Sequence, residues 1–122
     1  MDALQAVKSG DTVALSEIIR KGELDIADQN GKTPLMIAAD TGRLDILKLL
    51  LRKPVALNAQ DKWGQSALMM AAGRGDAHCV RVLIEAGANV HLVARNGSTA
   101  LSYATSSGSR EAVRLLKHAG AK

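Results

Sequence analysis

Glycine recurs in this chain at a fixed step of 33 residues, and that step restricts the possible folds more than any other feature. Gly31, Gly64 and Gly97 mark one phase, and Gly42, Gly75 and Gly108 mark another. Leu35, Leu68 and Leu101 keep the same step, as do Ala38, Ala71 and Ala104. Such a pattern describes an array of one supersecondary unit copied along the chain. The segment before Asp28 is a partial copy, because Gly10 and Gly22 are 12 apart, as are Gly75 and Gly87, and Gly108 and Gly120. Gly22 to Gly31 is nine residues where Gly87 to Gly97 is ten, and Pro54 takes the place of the second glycine in the copy that begins at Asp28. The predicted organisation is one domain over 1–122, with a capping repeat at 1–27, repeats at 28–60 and 61–93, and a C-terminal repeat at 94–122.

Each copy carries the same order of local signals. Asn30-Gly31 and Asn96-Gly97 predict tight turns built from residues that tolerate positive φ. Pro34 suits the first turn of a helix, where its missing N–H costs nothing. Leu35, Ala38 and Ala39 predict a short first helix, small-sided enough for a neighbour to approach and ended by Gly42. Ile46, Leu47, Leu50 and Leu51 then line one face of a second helix. Their equivalents are Cys79, Val80, Leu83 and Ile84, then Ala112, Val113 and Leu116. Gly87 and Gly120 stand where a helix C-cap is expected. No single copy can bury its apolar stripe alone, so stacking of the copies makes the core. With one Trp, one Tyr and no Phe, that core falls to Leu, Ile, Val, Met and Ala, which pack closely between helices. The expected fold class is all-α, a solenoid of stacked helix–turn–helix units with protruding hairpin-like turns.

The stretch "DQNGKTPLMIAADTGRLDILKLLL", residues 28–51, resembles the ankyrin repeat. That family's usual pattern runs D-x-x-G-x-T-P-L-H-x-A-A-x-x-G into a leucine-rich helix, and the resemblance covers essentially the whole chain. Two departures stand out. Met36, Met69 and Ser102 replace the family's histidine, which removes its hydrogen bond to the threonine phase. Thr33-Pro34 becomes Ser66-Ala67 and Thr99-Ala100 in the later copies. The fold is expected to tolerate both, with some loss of rigidity between repeats.

The resemblance implies a protein–protein interaction module whose turn tips and first-helix outer faces form a concave surface. Mapped onto this chain, the tips are Gln29, Asn30 and Lys32; Lys62, Trp63 and Gln65; and Arg95, Asn96 and Ser98. The helix-end positions are Lys8 and Ser9, Asp40 and Thr41, Gly73 and Arg74, and Thr105 and Ser106. Lys8, Lys32, Lys62, Arg74 and Arg95 are basic in this set and Asp40 alone is acidic, so the set's excess equals the chain's net charge of +4. One reading is a solvated charged edge. The other is a basic groove that selects a folded partner with an acidic surface patch, as an interaction scaffold or as an inhibitor or self-protection protein that occludes an enzyme. Trp63 bears on that choice, because Trp and Arg dominate binding hot spots and a turn tip makes no core demand. The expected partner-binding residues are therefore Lys8, Asn30, Lys32, Lys62, Trp63, Gln65, Arg74, Arg95 and Asn96. Nucleic-acid binding through the same basic face is the alternative, weakened by the sparse Lys/Arg.

No catalytic residue, cofactor or metal is expected. His78, His91 and His118 share no metal-ligand spacing, and Cys79 falls at a core phase where a small buried hydrophobe is the ordinary role. "AAGRGD" at 71–76 lacks the GK[ST] of a phosphate loop. Ser66, Ser98 and Ser102 have no His and Asp partners in a local motif. Asn96-Gly97-Ser98 matches a glycosylation sequon but is also a turn the fold requires. No window reaches the roughly 18 apolar residues that span a bilayer. A monomer in the cytoplasm is the expectation, since a single cysteine fits a reducing compartment. Export, with a signal peptide removed, is the alternative.

Overall fold

The computed structural model describes residues 1–122 and contains eight helices and no strand. They fall into four pairs: α1 (Ala3–Ser9) with α2 (Thr12–Lys21), α3 (Pro34–Asp40) with α4 (Leu44–Leu51), α5 (Ala67–Arg74) with α6 (Ala77–Glu85), and α7 (Ala100–Ser107) with α8 (Arg110–His118). None exceeds ten residues, shorter than the ~12–15 that make a helix marginal on its own in water. Packing between pairs therefore supplies their stability. First helices stack as α1, α3, α5 and α7, and α4, α6 and α8 stack behind them.

Local sequence sets the helix limits. Asp2, Asp11, Thr33, Ser66, Asp76, Thr99 and Ser109 each accept a hydrogen bond from the backbone N–H three residues on, which satisfies an otherwise orphaned donor. Only α4 lacks a side-chain cap, because Arg43 occupies its N-cap position. The lost histidine phase is compensated in one copy. Ser102 forms a reciprocal capping box with Thr99, whereas Met36 and Met69 are buried in the core.

One apolar cluster of 30 residues runs from Ala3 to Ala121. Ala6, Ala38, Ala71 and Ala104 are fully buried, which lets the first helices approach closely. Behind them Leu50, Leu83 and Leu116 form a buried row in the second helices, as the periodicity predicts, and Ile18 extends it into the capping repeat.

Cys79 belongs to this core and is buried. Desolvation, followed by the hydrogen bond and charge of Asp76, pushes its thiol from 9.0 up to about 12. The fold thus favours the neutral thiol. The resulting stabilisation is complete below pH 9.0 and is lost as pH rises from there through about 12. We expect native Cys79 to stay unlabelled by a maleimide at pH 8 and to react fully once guanidinium unfolds the chain. Rapid labelling of the native protein would place the thiol outside the core.

Candidate functional site

Between the helix pairs, residues 28–32, 61–65 and 94–98 form three protruding fingers. Each is closed by two backbone hydrogen bonds of 2.9 Å, as in the second, where Asp61 N–H donates to the Gln65 carbonyl and Gly64 N–H to the Asp61 carbonyl. Glycine alone carries the left-handed conformation, with φ of 81° at Gly31, 78° at Gly64 and 85° at Gly97. No non-glycine residue has positive φ, which corrects the expectation for Asn30 and Asn96. Asparagine's tolerance is not needed where the next residue has no Cβ. Asn96 has another task, its Oδ1 accepting from Ser98 N–H. In the first two fingers Asp28 and Asp61 take that part, each accepting two backbone N–H bonds. The bond from Lys32 N–H is the main reason the Asp28 carboxyl lies below its ordinary range, with smaller help from the charges of Lys8 and Lys32.

The fingers are also joined to one another. Lys62 N–H donates to the Asn30 carbonyl at 2.9 Å, and Arg95 N–H to the Trp63 carbonyl at 3.0 Å. Gln60 Nε2 adds bonds to the Gly64 and Val93 carbonyls, at 2.8 and 3.2 Å. The backbone of Trp63 is thereby held at both ends, since its N–H donates to Asp61 Oδ1 at 3.0 Å. The residue nevertheless remains 47% exposed. Lys62 Nζ lies 4.6 Å from the centroid of the indole ring, a cation–π contact worth about 0.5–1 kcal/mol at an exposed site.

The nine residues singled out from sequence do not form one uniform patch. Lys62, Trp63 and Arg95 are exposed and held together by the second and third fingers. Asn30 is half-buried, and its carbonyl seats Lys62. Lys32 is half-buried and pairs with Asp40 at 3.3 Å. Arg74 is exposed, yet its Nη1 donates to the Asp40 carbonyl at 3.1 Å and its guanidinium lies over Gly42. Gln65 and Asn96 both turn to the Tyr103 hydroxyl, at 3.0 and 3.5 Å. Lys8 is exposed at the end of α1.

Two participants were not legible from sequence alone. Tyr103 shares its phase with Ile37 and Met70, and as the only tyrosine in an apolar phase it carried a weak polar signal. Arg43 fills the phase of the caps Asp11, Asp76 and Ser109, and its Nη2 donates instead to the Lys8 carbonyl at 3.1 Å. A cation in a capping phase was the available clue.

No three His, Cys, Asp or Glu side chains are grouped to hold a metal ion. No helix is long and apolar enough to cross a membrane.

Comparison with known proteins follows this geometry closely. The family model described as "Ankyrin repeats (3 copies)" matches residues 44–122, and that described as "Ankyrin repeats (many copies)" matches residues 18–68. Alpha-latrotoxin-Lh1a of Latrodectus hasselti is 34% identical over 58 residues, which is 45% of this chain and 4% of the toxin. Ankyrin repeat and SAM domain-containing protein 6 of Danio rerio is 36% identical over 61 residues, 48% of this chain and 8% of that protein. The matched stretch thus spans less than a tenth of either relative.

Proposed function

The chain belongs to the ankyrin-repeat family, and on that premise we propose that it grips a folded partner with an acidic surface patch through its finger side. Ankyrin repeats mediate protein–protein interaction. What supports this particular face is Trp63, a half-exposed indole on a backbone fixed at both ends, with Lys62 over its ring. An anchor of that kind offers a large contact area and loses little freedom on docking. Arg95 and Lys62 flank it with positive charge that no carboxylate neutralises, because the chain's four ion pairs lie elsewhere. Lys32, Arg74, Gln65 and Asn96 act differently. Their contacts with Asp40 and Tyr103 hold the rim in shape, and Asn30 sets the second finger's position.

Trp63→Ala tests the reading directly. We expect partner affinity to fall about 30-fold or more, the effect of losing a hot spot of ~2 kcal/mol. The thermal midpoint should stay within a few degrees of the parent. Affinity capture with the parent and with a Trp63/Arg95 double alanine variant, followed by titration of the captured protein, provides the measurement. A collapsed midpoint would make Trp63 structural. Binding of any oligonucleotide that falls steeply from low to physiological salt would instead favour nucleic acid on this face.

A further inference from the structure

Charge is distributed unevenly along the solenoid, and the fingers do not account for it. Residues 94–122 contain Arg95, Arg110, Arg114, Lys117 and Lys122 against Glu111 alone. Glu111 is already engaged, accepting from Arg114 Nε at 3.0 Å and pairing with Arg81 at 3.2 Å. Arg110 and Lys117 have no anionic partner. Residues 110, 114 and 117 are spaced i, i+4, i+7, which sets them in one stripe about 10 Å long on α8.

The stripe borders the outer face of the last helix pair. In the third repeat the same face is packed against α7 and α8, and Ala72, Ala77, Val80 and Ile84 are its apolar contacts. Three phases change character in the last repeat. Thr105 stands where Ala39 and Ala72 are fully buried, Lys117 where Leu51 and Ile84 are half-buried, and Arg110 where Leu44 and Ala77 are half-buried. Val113 keeps the apolar character of Leu47 and Val80, but it is only half-buried where they are buried completely. The result is a shallow cleft of about 500 Å³ lined by Thr105, Ser109, Arg110, Val113, Arg114 and Lys117.

We infer that this end face is a second docking surface, and that its occupant is an acidic amphipathic helix of a partner protein. A helix presenting carboxylates at i, i+4 and i+7 matches the period of Arg110, Arg114 and Lys117, with unpaired cations at the two ends and Arg114, which already bonds Glu111, between them. An apolar residue among those carboxylates would rest on Val113 between the cations, which a phosphate backbone cannot do. No aromatic side chain lines the cleft to stack a nucleic-acid base. The packing mode is the one the fold already uses, since α8 packs helix against helix on α6.

The test uses the full chain and a defined probe: a lactam-stapled helical peptide with Glu at i, i+4 and i+7 and one Leu between them. Its control is the same peptide with Gln at the three acidic positions. We expect the Glu peptide to bind at least tenfold more tightly than the Gln peptide. Amide shifts should concentrate at 105–117 and spare the fingertips at 62–65 and 95–98. Arg110→Ala with Lys117→Ala should weaken binding at least fivefold with unchanged circular dichroism, and Trp63→Ala should leave it unaltered, which separates this surface from the finger face. Equal affinity for the two peptides would overturn the inference, as would shifts confined to the fingers. Tighter binding of single-stranded DNA or phosphatidylserine vesicles to 105–117 than of the Glu peptide would also sink it. So would concentration-dependent self-association abolished by the double variant, which would make a second copy the occupant.

Discussion

Replacing Leu83 with alanine is expected to destabilise the protein by about 3–5 kcal/mol, the upper range for a large-to-small change at a fully buried site. Leu83 is 0% exposed and sits in the row with Leu50 and Leu116, so its methyl groups serve the contacts to both neighbouring repeats. In a solenoid each unit is stabilised by its own packing plus the interfaces on either side. A defect in the third helix pair therefore weakens the coupling of the last pair to the first two. With total stabilities for small domains near 5–15 kcal/mol, such a loss is a large fraction of what holds the chain folded. Urea unfolding followed by circular dichroism checks it, with Leu115→Ala as the reference because Leu115 is only half-buried. The Leu83 variant should unfold at a much lower midpoint, and a second transition would report separation of the array. Equal losses in the two variants would show that the buried row does not carry the core.

Gly64→Ala is the second large effect, expected to cost about 3 kcal/mol through two separable causes. At φ 78° an alanine is strained wherever it stands. A Cβ there would also meet Arg95 N at 2.9 Å and Ala94 Cα at 3.1 Å, backbone atoms that cannot turn away as a side-chain tip can. Relief requires the second and third fingers to separate, which threatens the bond from Arg95 N–H to the Trp63 carbonyl. Gly97 isolates the first cause. Its φ is 85° and nothing lies within 4 Å of a Cβ at that position. Gly97→Ala should therefore cost only the left-handed strain, about 1–2 kcal/mol. The difference between the two thermal or urea midpoints measures the clash, and indistinguishable midpoints would refute it. Gly64→Ala should also alter the fluorescence of Trp63, the chain's only tryptophan.

How much of this was legible beforehand depends on the range of the interaction. Leu50, Leu83 and Leu116 could be placed in the core because their phase within a copy determines their face on the second helix. The N-caps are just as local, since Ser66 or Asp76 bonds a backbone group three residues away, but only the glycine C-caps are predicted from the sequence. Contacts between copies were not legible. Tyr103 reaches Gln65 across 38 positions and Arg43 reaches the Lys8 carbonyl across 35. Such partners are selected by the offset of one helix pair on the next, which no pattern inside a single copy encodes. The charge reading suffered in the same way. A tally of fingertip and helix-end residues accounts for the whole net charge of +4, yet it treats Lys32 as free when Asp40 lies beside it. It also overlooks Arg110 and Lys117 on α8, whose equivalents in the inner repeats are apolar.

The backbone bonds running from Asn30 to Lys62 and from Trp63 to Arg95 bear on recognition thermodynamics. Three independent loops would each forfeit mobility when a ligand arrived, and affinity would suffer for every one of them. Cross-linked hairpins have already lost that mobility during folding. A load applied at the indole is also shared by the tips on either side of it, so the row should respond as one stiff comb, with amide exchange slowing at all three tips even when a ligand touches just one.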